Sequence, residues 1–238
     1  MMSEGLRYRP YRWRGGDEWL AEIGNGPPIL IAPPLFEELN RCRAFIVAIM
    51  HDLAQAGFQA VLPDLPGTGE SPRDLLDVAW NDWSGALGML AFELKARSQA
   101  PMLISLRGGG LVEDQVEVAA RWRFAPTPGA ALTRDLVRAR QAILPDKVRA
   151  EIVVAEARTT ACEFAGYVLP PHLFADLHDA QPAQAEQTRT VRLTSDPASA
   201  DLKVDGRPLW RQAEPGTDAD LSACLAADIV LWARACAA

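Results

Sequence analysis

Residues 105–109 read SLRGG and directly follow a short apolar run, which gives them the types and spacing of a catalytic turn. Enzymes that use a serine nucleophile in this way hold it at the apex of a sharp strand-to-helix turn, the nucleophile elbow, with small residues two positions away on either side. Ser105 and Gly109 meet that steric requirement, but the apex position holds Arg107. Placing Ser105 at the apex instead would put Leu103 and Arg107 where small residues are needed. The sequence therefore predicts an elbow without its nucleophile.

The other members of a serine triad are also incomplete. A triad needs a histidine base on a loop after the last strand, downstream of its acid. No histidine follows His178, and the corresponding late stretch holds Trp210 and Glu214 instead. Asp196 occupies the place expected for the acid. We predict that no Ser-His-Asp triad forms.

Charged side chains that follow the predicted strands offer other chemistry. In an open α/β sheet, ligands bind outside the carboxyl ends of the strands. Two adjacent carboxylates there could activate water, and an arginine could hold an anionic group through its forked guanidinium. We therefore predict that Glu37, Glu38 and Arg107 are the catalytic candidates. The candidate ligand contacts are Phe36, Asn40, Arg43, Asp64, Ser105, Asp196, Trp210 and Glu214.

Each of these residues also has a purely structural interpretation. Glu37 and Glu38 can be first-turn acids that the dipole of a helix favours. Arg107 can form an internal ion pair with either carboxylate rather than with a ligand. The backbone N–H groups of an elbow, with an added arginine, can also form an anion pocket that needs no nucleophile. The sequence leaves these alternatives open.

The first half of the chain alternates short apolar runs with helical patterns. Buried strands are predicted at 28–32, 58–62 and 101–105, with helices at 40–56 and 76–96 between them. Strands and helices that alternate at this spacing form right-handed crossovers in a parallel sheet. An antiparallel hairpin over residues 6–23 is predicted to precede them. The fold class is therefore α/β, with a mostly parallel central sheet and helices on both faces.

The second half is predicted to complete the sheet around an insertion. Further strands are expected at 121–126, 190–194 and 201–204, with a helix at 129–142 that has a basic and an apolar face and a closing helix at 221–235. The region between them mixes β-branched residues with glycine and proline pairs. We predict a single domain over residues 1–238, with a small cap or lid at residues 130–185.

Composition and charge exclude several classes of function. The net charge of −7 argues against a surface that binds nucleic acid, and the apolar runs are far shorter than a membrane span. The N-terminus lacks the apolar segment of a secretory signal, so we expect a cytoplasmic location. Four scattered cysteines without a CxxC pair give no metal site, and no cofactor is predicted.

Several segments together resemble a known family. They are residues 33–43 (PPLFEELNRCR), 64–71 (DLPGTGES), 106–109 (LRGG), 164–167 (FAGY) and 208–210 (PLW). The sequence is similar to the exosortase A system-associated hydrolase 2 family from about residue 28 to its end. The PP-x-x-E-E-x-N-x-x-R segment is the most specific part of that likeness.

The resemblance implies an α/β-hydrolase fold and an elbow that reads G-L-R-x-G. It also implies a genomic setting of exopolysaccharide production and surface-protein sorting in Gram-negative bacteria, with exopolysaccharide or exosortase-locus proteins as partners. This sequence departs from the family at Ser105, where glycine is usual, and at Leu39, where methionine is usual. The stretch between Gly110 and Arg121 is also short for an elbow helix.

These observations leave three hypotheses about function. The first is a nominal hydrolase of an ester or related bond that lacks the usual triad. The second is a catalytically inactive protein that keeps the hydrolase shell and binds a small anionic ligand. The third is an interaction partner that uses its tryptophans, among which Trp80 and Trp83 are spaced to share one helix face.

Overall fold

An eight-stranded sheet forms the centre of the protein, in a computed structural model that describes residues 5–144 and 148–236. Its strands lie in the order β1-β2-β4-β3-β5-β6-β9-β10. The pairs β1–β2 and β2–β4 are antiparallel, and every other pair is parallel. The strands of this sheet are β1 Arg7–Trp13, β2 Gly16–Ile23, β3 Pro28–Ala32, β4 Gln59–Pro63, β5 Met102–Leu106, β6 Arg121–Phe124, β9 Thr188–Leu193 and β10 Leu202–Val204.

Helices cover both faces of this sheet, as predicted. Helices α1 and α6 share a buried cluster with one face, and α2, α3 and α5 share a buried cluster with the other. The helices are α1 Glu37–Gln55, α2 Trp80–Arg97, α3 Gly129–Ile143, α4 Ala150–Ala157, α5 Pro171–Asp179 and α6 Ala219–Cys236, with short 3₁₀ helices at Leu75–Asp77, Arg107–Leu111 and Leu209–Arg211. No helix among the described residues is long and apolar enough to cross a membrane.

The parallel strands form because both of their faces are covered. Every residue of β3 and β5 is buried, which explains why these strands read as unbroken apolar runs rather than alternating ones. The hairpin over β1 and β2 is confirmed. Helix α1 begins at Glu37, three residues earlier than predicted, so both glutamates lie in its first turn, where the helix dipole favours negative charge. Gly57, with φ of 93°, follows its end as predicted.

The helix predicted over residues 76–96 is divided in the structure. A 3₁₀ turn at Leu75–Asp77 comes first, and α2 begins only at Trp80. Asp74 accepts a hydrogen bond from the Leu76 amide, and Val78 is extended, so the backbone leaves the helical region between the two elements.

Residues 130–185, predicted as a cap, contain most of α3 together with α4, α5 and a small hairpin. The hairpin pairs β7 Cys162–Phe164 with β8 Tyr167–Leu169. Its apolar side chains join the cluster that also contains α2, and the β-branched run at 152–154 lies in α4, with Val153 fully buried. That this region acts as a lid stays a prediction, and residues 145–147 of it lie outside the described residues, as do 1–4 and 237–238 of the predicted single domain.

The elbow is followed by a loop rather than by a long helix. After the 3₁₀ turn Arg107–Leu111, residues 112–120 reach β6 without an α-helix. Val112 and Val116 are buried in the core, and the fully buried Glu113 is paired with Arg123 of β6. These contacts fix the loop, so the short connection is still well packed.

Candidate functional site

Arg107 stands at the apex of the turn after β5. Its φ of 53° lies in the left-handed region, where a residue other than glycine is strained. The small neighbours of the apex are required by close packing. A Cβ on Gly109 would lie 2.3 Å from the Ala32 carbonyl oxygen, and one on Gly108 would lie 2.7 Å from Leu132. The elbow geometry is therefore present, with a guanidinium in the place of the nucleophile.

The guanidinium of Arg107 is held on three sides. Its Nη2 and Nε donate to the Glu38 carboxylate at 2.9 and 3.2 Å, and its Nη1 donates to the Ala125 carbonyl at 3.3 Å. It also lies over the ring of Trp210, 4.5 Å from the ring centre. Of the two glutamates, Glu38 forms the internal ion pair, while Glu37 is paired with Arg41 at 3.0 Å on its own helix.

Three residues with strained backbone conformations lie at this end of the sheet. Phe36, Arg107 and Ala125 have φ values of 57°, 53° and 46°, and they follow the neighbouring strands β3, β5 and β6. Strain of this kind costs free energy and persists only where the surrounding structure holds it, which is common at binding sites. Three of the six described non-glycine residues with positive φ therefore follow the carboxyl ends of these strands.

Two cavities open beside Arg107. The first, of about 460 Å³, lies between α1 and α3 and is lined by Phe36, Glu37 and Glu38. The second, of about 550 Å³, has Arg107 in its wall and we call it the arginine cleft. The arginine cleft is lined by five arginines and two aspartates, namely Arg107, Arg134, Arg138, Arg192, Arg211, Asp135 and Asp196. Four residues line both cavities: Asp135, Arg138, Trp210 and Arg211.

Six of the residues predicted from the sequence meet at these cavities: Phe36, Glu37, Glu38, Arg107, Asp196 and Trp210. Asp196 is not free for a triad, because it accepts a hydrogen bond from Arg192 at 2.7 Å. This contact and the Ala198 amide lower the pKa of Asp196, although partial burial acts against them.

Three other predicted residues, Asn40, Arg43 and Asp64, lie outside both cavities. Arg43 pairs with Asp64 at 2.6 Å, and Asn40 donates to the Tyr167 hydroxyl at 3.1 Å. Asp64 also accepts from the Glu70 amide, so it holds its own loop. None of these three side chains lines either cavity: Asn40 and Arg43 lie on other faces of α1 than Glu38, and Asp64 is held by Arg43.

Ser105 and Glu214 do not line either cavity. The Ser105 side chain is buried on the same face of β5 as Leu103, beside Glu113, because side chains alternate along a strand. Glu214 is exposed, beyond the 3₁₀ turn that carries Trp210. A ligand contact from either residue has no support in the geometry.

The sequence reasoning missed four arginines of the cleft and the buried pair of Glu113 with Arg123. Arg134 and Arg138 are one helical turn apart on α3, so the basic face predicted for this helix was the available signal. Arg192 and Arg211 come from distant parts of the chain. Nothing in their local sequence indicates that they meet.

Burial controls the ionisation of the carboxylate beside Arg107. Desolvation raises the pKa of Glu38 above its ordinary range, and the charge and hydrogen bonds of Arg107 oppose part of that rise. Burial also raises the pKa of Cys42 to about 12, so this thiol stays protonated. Within the described residues, no group of three or more His, Cys, Asp or Glu side chains is arranged to hold a metal ion.

The strand order, the elbow after β5 and the helices on both faces define an α/β-hydrolase fold. Its site departs from a serine hydrolase at the apex, where Arg107 stands, and at the late loop, where Trp210 stands. No protein-family model matches the sequence, and no curated protein does.

Solved structures similar to this chain include two plant epoxide hydrolases and a bacterial esterase. The epoxide hydrolase from Vigna radiata is 18% identical, with a TM-score of 0.44 over 64% of this chain and 52% of that one. The potato (Solanum tuberosum) enzyme is 19% identical, with a TM-score of 0.43 over 65% and 54%. The thermophilic esterase from Thermogutta terrifontis, with malate bound, is 17% identical, with a TM-score of 0.49 over 78% and 79%. The chain spans about half the length of the plant enzymes.

Proposed function

We propose that this protein binds a small anionic molecule in the arginine cleft and holds it on Arg107. The observation that carries the proposal is the number of N–H groups that Arg107 still offers. A guanidinium has five. Glu38 takes one on Nε and one on Nη2, and the Ala125 carbonyl takes one on Nη1. Within residues 5–144 and 148–236, one N–H on each terminal nitrogen is left without a partner.

These two donors are suited to an anion because the guanidinium that carries them cannot move freely. Glu38, Ala125 and the Trp210 ring fix its plane, so little side-chain entropy is lost when a ligand binds. Two N–H groups on neighbouring nitrogens match the two oxygens of a carboxylate or phosphate. The wall of the arginine cleft carries five arginines against two aspartates, although the whole chain has a net charge of −7. The cleft is thus a local positive region on an acidic protein.

Ligand-dependent thermal stability tests this proposal. Inorganic phosphate is expected to raise the melting temperature of the wild type, since a ligand at about 100 times its Kd stabilises the folded state by about 2.7 kcal/mol. Arg107→Gln should abolish that rise. Arg158→Gln, which removes an exposed arginine outside the cleft, should preserve it. Equal stabilisation of Arg107→Gln and the wild type would exclude the proposal.

Loss of Arg107 leaves Glu38 buried without its partner, so the single variant risks unfolding. The double variant Glu38→Gln with Arg107→Gln removes that risk because neither side chain is then charged. It should fold and fail to respond to phosphate. A full response in the double variant would also contradict the proposal.

A second candidate, hydrolysis through carboxylates, is supported by Glu38 itself. This side chain lines the first cavity and has a pKa raised by burial, which is a property of catalytic acids and bases. Under this candidate, short p-nitrophenyl esters are turned over by the wild type and by Ser105→Ala, but not by Glu38→Gln. Under the binding proposal, none of the three turns them over. A single fluorophosphonate adduct lost in Ser105→Ala would overturn both.

The cellular setting is the part of this proposal that depends on sequence resemblance alone. We infer from that resemblance an association with exosortase or exopolysaccharide systems and a cytoplasmic location. A pull-down of an exosortase-locus protein by the wild type tests it. Retention of that partner by Arg107→Ala would favour a role in protein interaction over ligand binding.

A further inference from the structure

Some of the arginines that line the arginine cleft are paired with a carboxylate, and others are not. Arg107 is paired with Glu38, and Arg192 is paired with Asp196 at 2.7 Å. The second aspartate of the wall, Asp135, is 3.3 Å from Arg138 on the same helix. Both aspartates are therefore engaged by neighbouring arginines. Three of the five guanidinium groups are thus paired with a carboxylate.

The remaining two arginines are unmatched. Arg134 and Arg211 are both exposed, and the guanidinium of neither forms a hydrogen bond or ion pair within the described part of the chain. They come from different elements, since Arg134 lies on α3 and Arg211 ends the 3₁₀ turn that contains Trp210. Two uncompensated positive charges thus stand at the exposed rim of the cleft.

Arg107 differs from these two in depth. Its side chain is 11% exposed, whereas Arg134 and Arg211 belong to the exposed surface. The wall of the cleft also contains apolar side chains, namely Leu193, Trp210 and several prolines. The cleft therefore has one buried arginine and two exposed, unpaired arginines, with apolar side chains also in its wall.

From this arrangement we infer that the ligand of the arginine cleft is an organic dianion with two separate charged groups. One group binds the free N–H donors of Arg107, and the other lies at the rim with Arg134 and Arg211. The carbon body that joins them packs against Trp210. This inference rests on the proposed function, and it adds the number and placement of the charges. A cavity of about 550 Å³ is within the usual range for small-molecule sites.

Matched pairs of anions test the inference by calorimetry at constant ionic strength. The probes are the dicarboxylates succinate, glutarate, adipate and pimelate, each compared with the monocarboxylate that has the same number of carbons. At least one dicarboxylate should bind about tenfold or more tightly than its monocarboxylate, because only the dianion reaches both levels of the cleft. Constant ionic strength is needed because salt screens exposed charges.

Rim variants then show where the second charge lies. Arg134→Gln and Arg211→Gln should each weaken binding of the preferred dicarboxylate, and together they should reduce it to the affinity of the monocarboxylate. The affinity of the monocarboxylate itself should not change. Arg158→Gln serves as the control, because it removes the same exposed charge at a position outside the cleft.

The possible failures are distinguishable. If Arg107→Gln abolishes binding of both kinds of anion while the rim variants have no effect, the binding function stands and the two-charge inference is wrong. If the rim variants weaken both kinds of anion equally, the rim provides only general attraction, and the inference is again wrong. If no anion binds to the wild type, the binding function fails with it.

Discussion

Two glutamate–arginine pairs lie near the elbow, and they differ in what surrounds them. Glu38 and Arg107 are at the carboxyl end of the sheet, where both border a cavity. Glu113 and Arg123 lie behind the elbow, where the Glu113 side chain is 0% exposed. Desolvation raises the pKa of both glutamates, and the partner arginine opposes the rise in each pair. The two pairs thus share their chemistry and differ in access to solvent.

The difference shows how one kind of contact serves two purposes. Arg123 bonds Glu113 and the Ala183 carbonyl, so it ties the loop after the elbow and the segment before β9 to β6. This pair takes over part of the role of the missing elbow helix. Arg107 keeps two donors free beside a cavity. We therefore interpret Glu113 and Arg123, the inner pair, as a structural clamp. Glu38 and Arg107, the outer pair, are interpreted as a fixed anchor for a ligand.

The largest expected effect concerns the inner pair. Arg123→Met should lower the free energy of unfolding by about 3–5 kcal/mol, because it leaves the Glu113 carboxylate buried without a partner. Urea denaturation measures the loss. The double variant Glu113→Gln with Arg123→Met should recover most of it, since no buried charge remains. A loss below about 1 kcal/mol in the single variant would show that this pair is not the clamp.

A substitution in the outer pair should change the affinity of the protein for anions. Glu38→Gln is expected to tighten anion binding roughly tenfold, or about 1.4 kcal/mol, because the negative charge of Glu38 no longer repels the anion while the glutamine oxygen can still accept a hydrogen bond from Arg107. Calorimetry with phosphate measures this change. Its control is Glu113→Gln, which neutralises another buried glutamate away from the cleft and should leave affinity unchanged. Tighter binding in both variants would remove the distinction between the pairs.

The pH dependence of stability provides the next comparison. A glutamate with a raised pKa binds more protons in the folded state than in the unfolded state, so the free energy of unfolding falls as pH rises from its ordinary pKa to the raised one. Each pKa unit corresponds to about 1.4 kcal/mol. Melting curves between about pH 4 and pH 8 should show this fall in the wild type.

The two glutamates can be separated in the same experiment. Glu38→Gln and Glu113→Gln should each remove part of the fall. A bound anion places a second negative charge beside Glu38, so it should raise the pKa of Glu38 further and enlarge the fall only where Glu38 is present. An anion effect that persists in Glu38→Gln would contradict the assignment of the outer pair to the ligand site.

The sequence predicted the layout of the fold because strongly apolar runs and helical periodicity are local signals. It also predicted the position of Arg107 at the elbow, since the small residues around a strained apex are recognisable in sequence. It could not predict which of Glu37 and Glu38 meets Arg107, because both lie in the first turn of α1 and only the packing of that helix selects Glu38.

The site residues that were predicted incorrectly or missed also depend on how distant segments pack. Asp64 follows a strand that lies next to β3, as the prediction required. Its side chain, however, is held by Arg43 of α1 and by the Glu70 amide of its own loop. Arg211 becomes part of the cleft only because a 3₁₀ turn brings it beside α3. Contacts that depend on loop conformation across distant segments leave no local pattern in the sequence.

The smallest expected effect tests the Trp210 ring as the support of the outer arginine. Trp210→Phe keeps an aromatic face beneath Arg107 but weakens the cation–π attraction, so anion affinity should fall by about 0.5–1 kcal/mol. The indole Nε1 has no hydrogen-bond partner among the described residues, so little stability is lost through that atom. Trp122→Phe is the matched change elsewhere in the core, where the indole donates to Asp228 at 2.8 Å. Trp122→Phe should reduce stability more than Trp210→Phe does, and it should leave anion affinity unchanged. If Trp210→Phe instead lowers stability without changing affinity, Trp210 only fills space and the guanidinium is positioned by Glu38 alone.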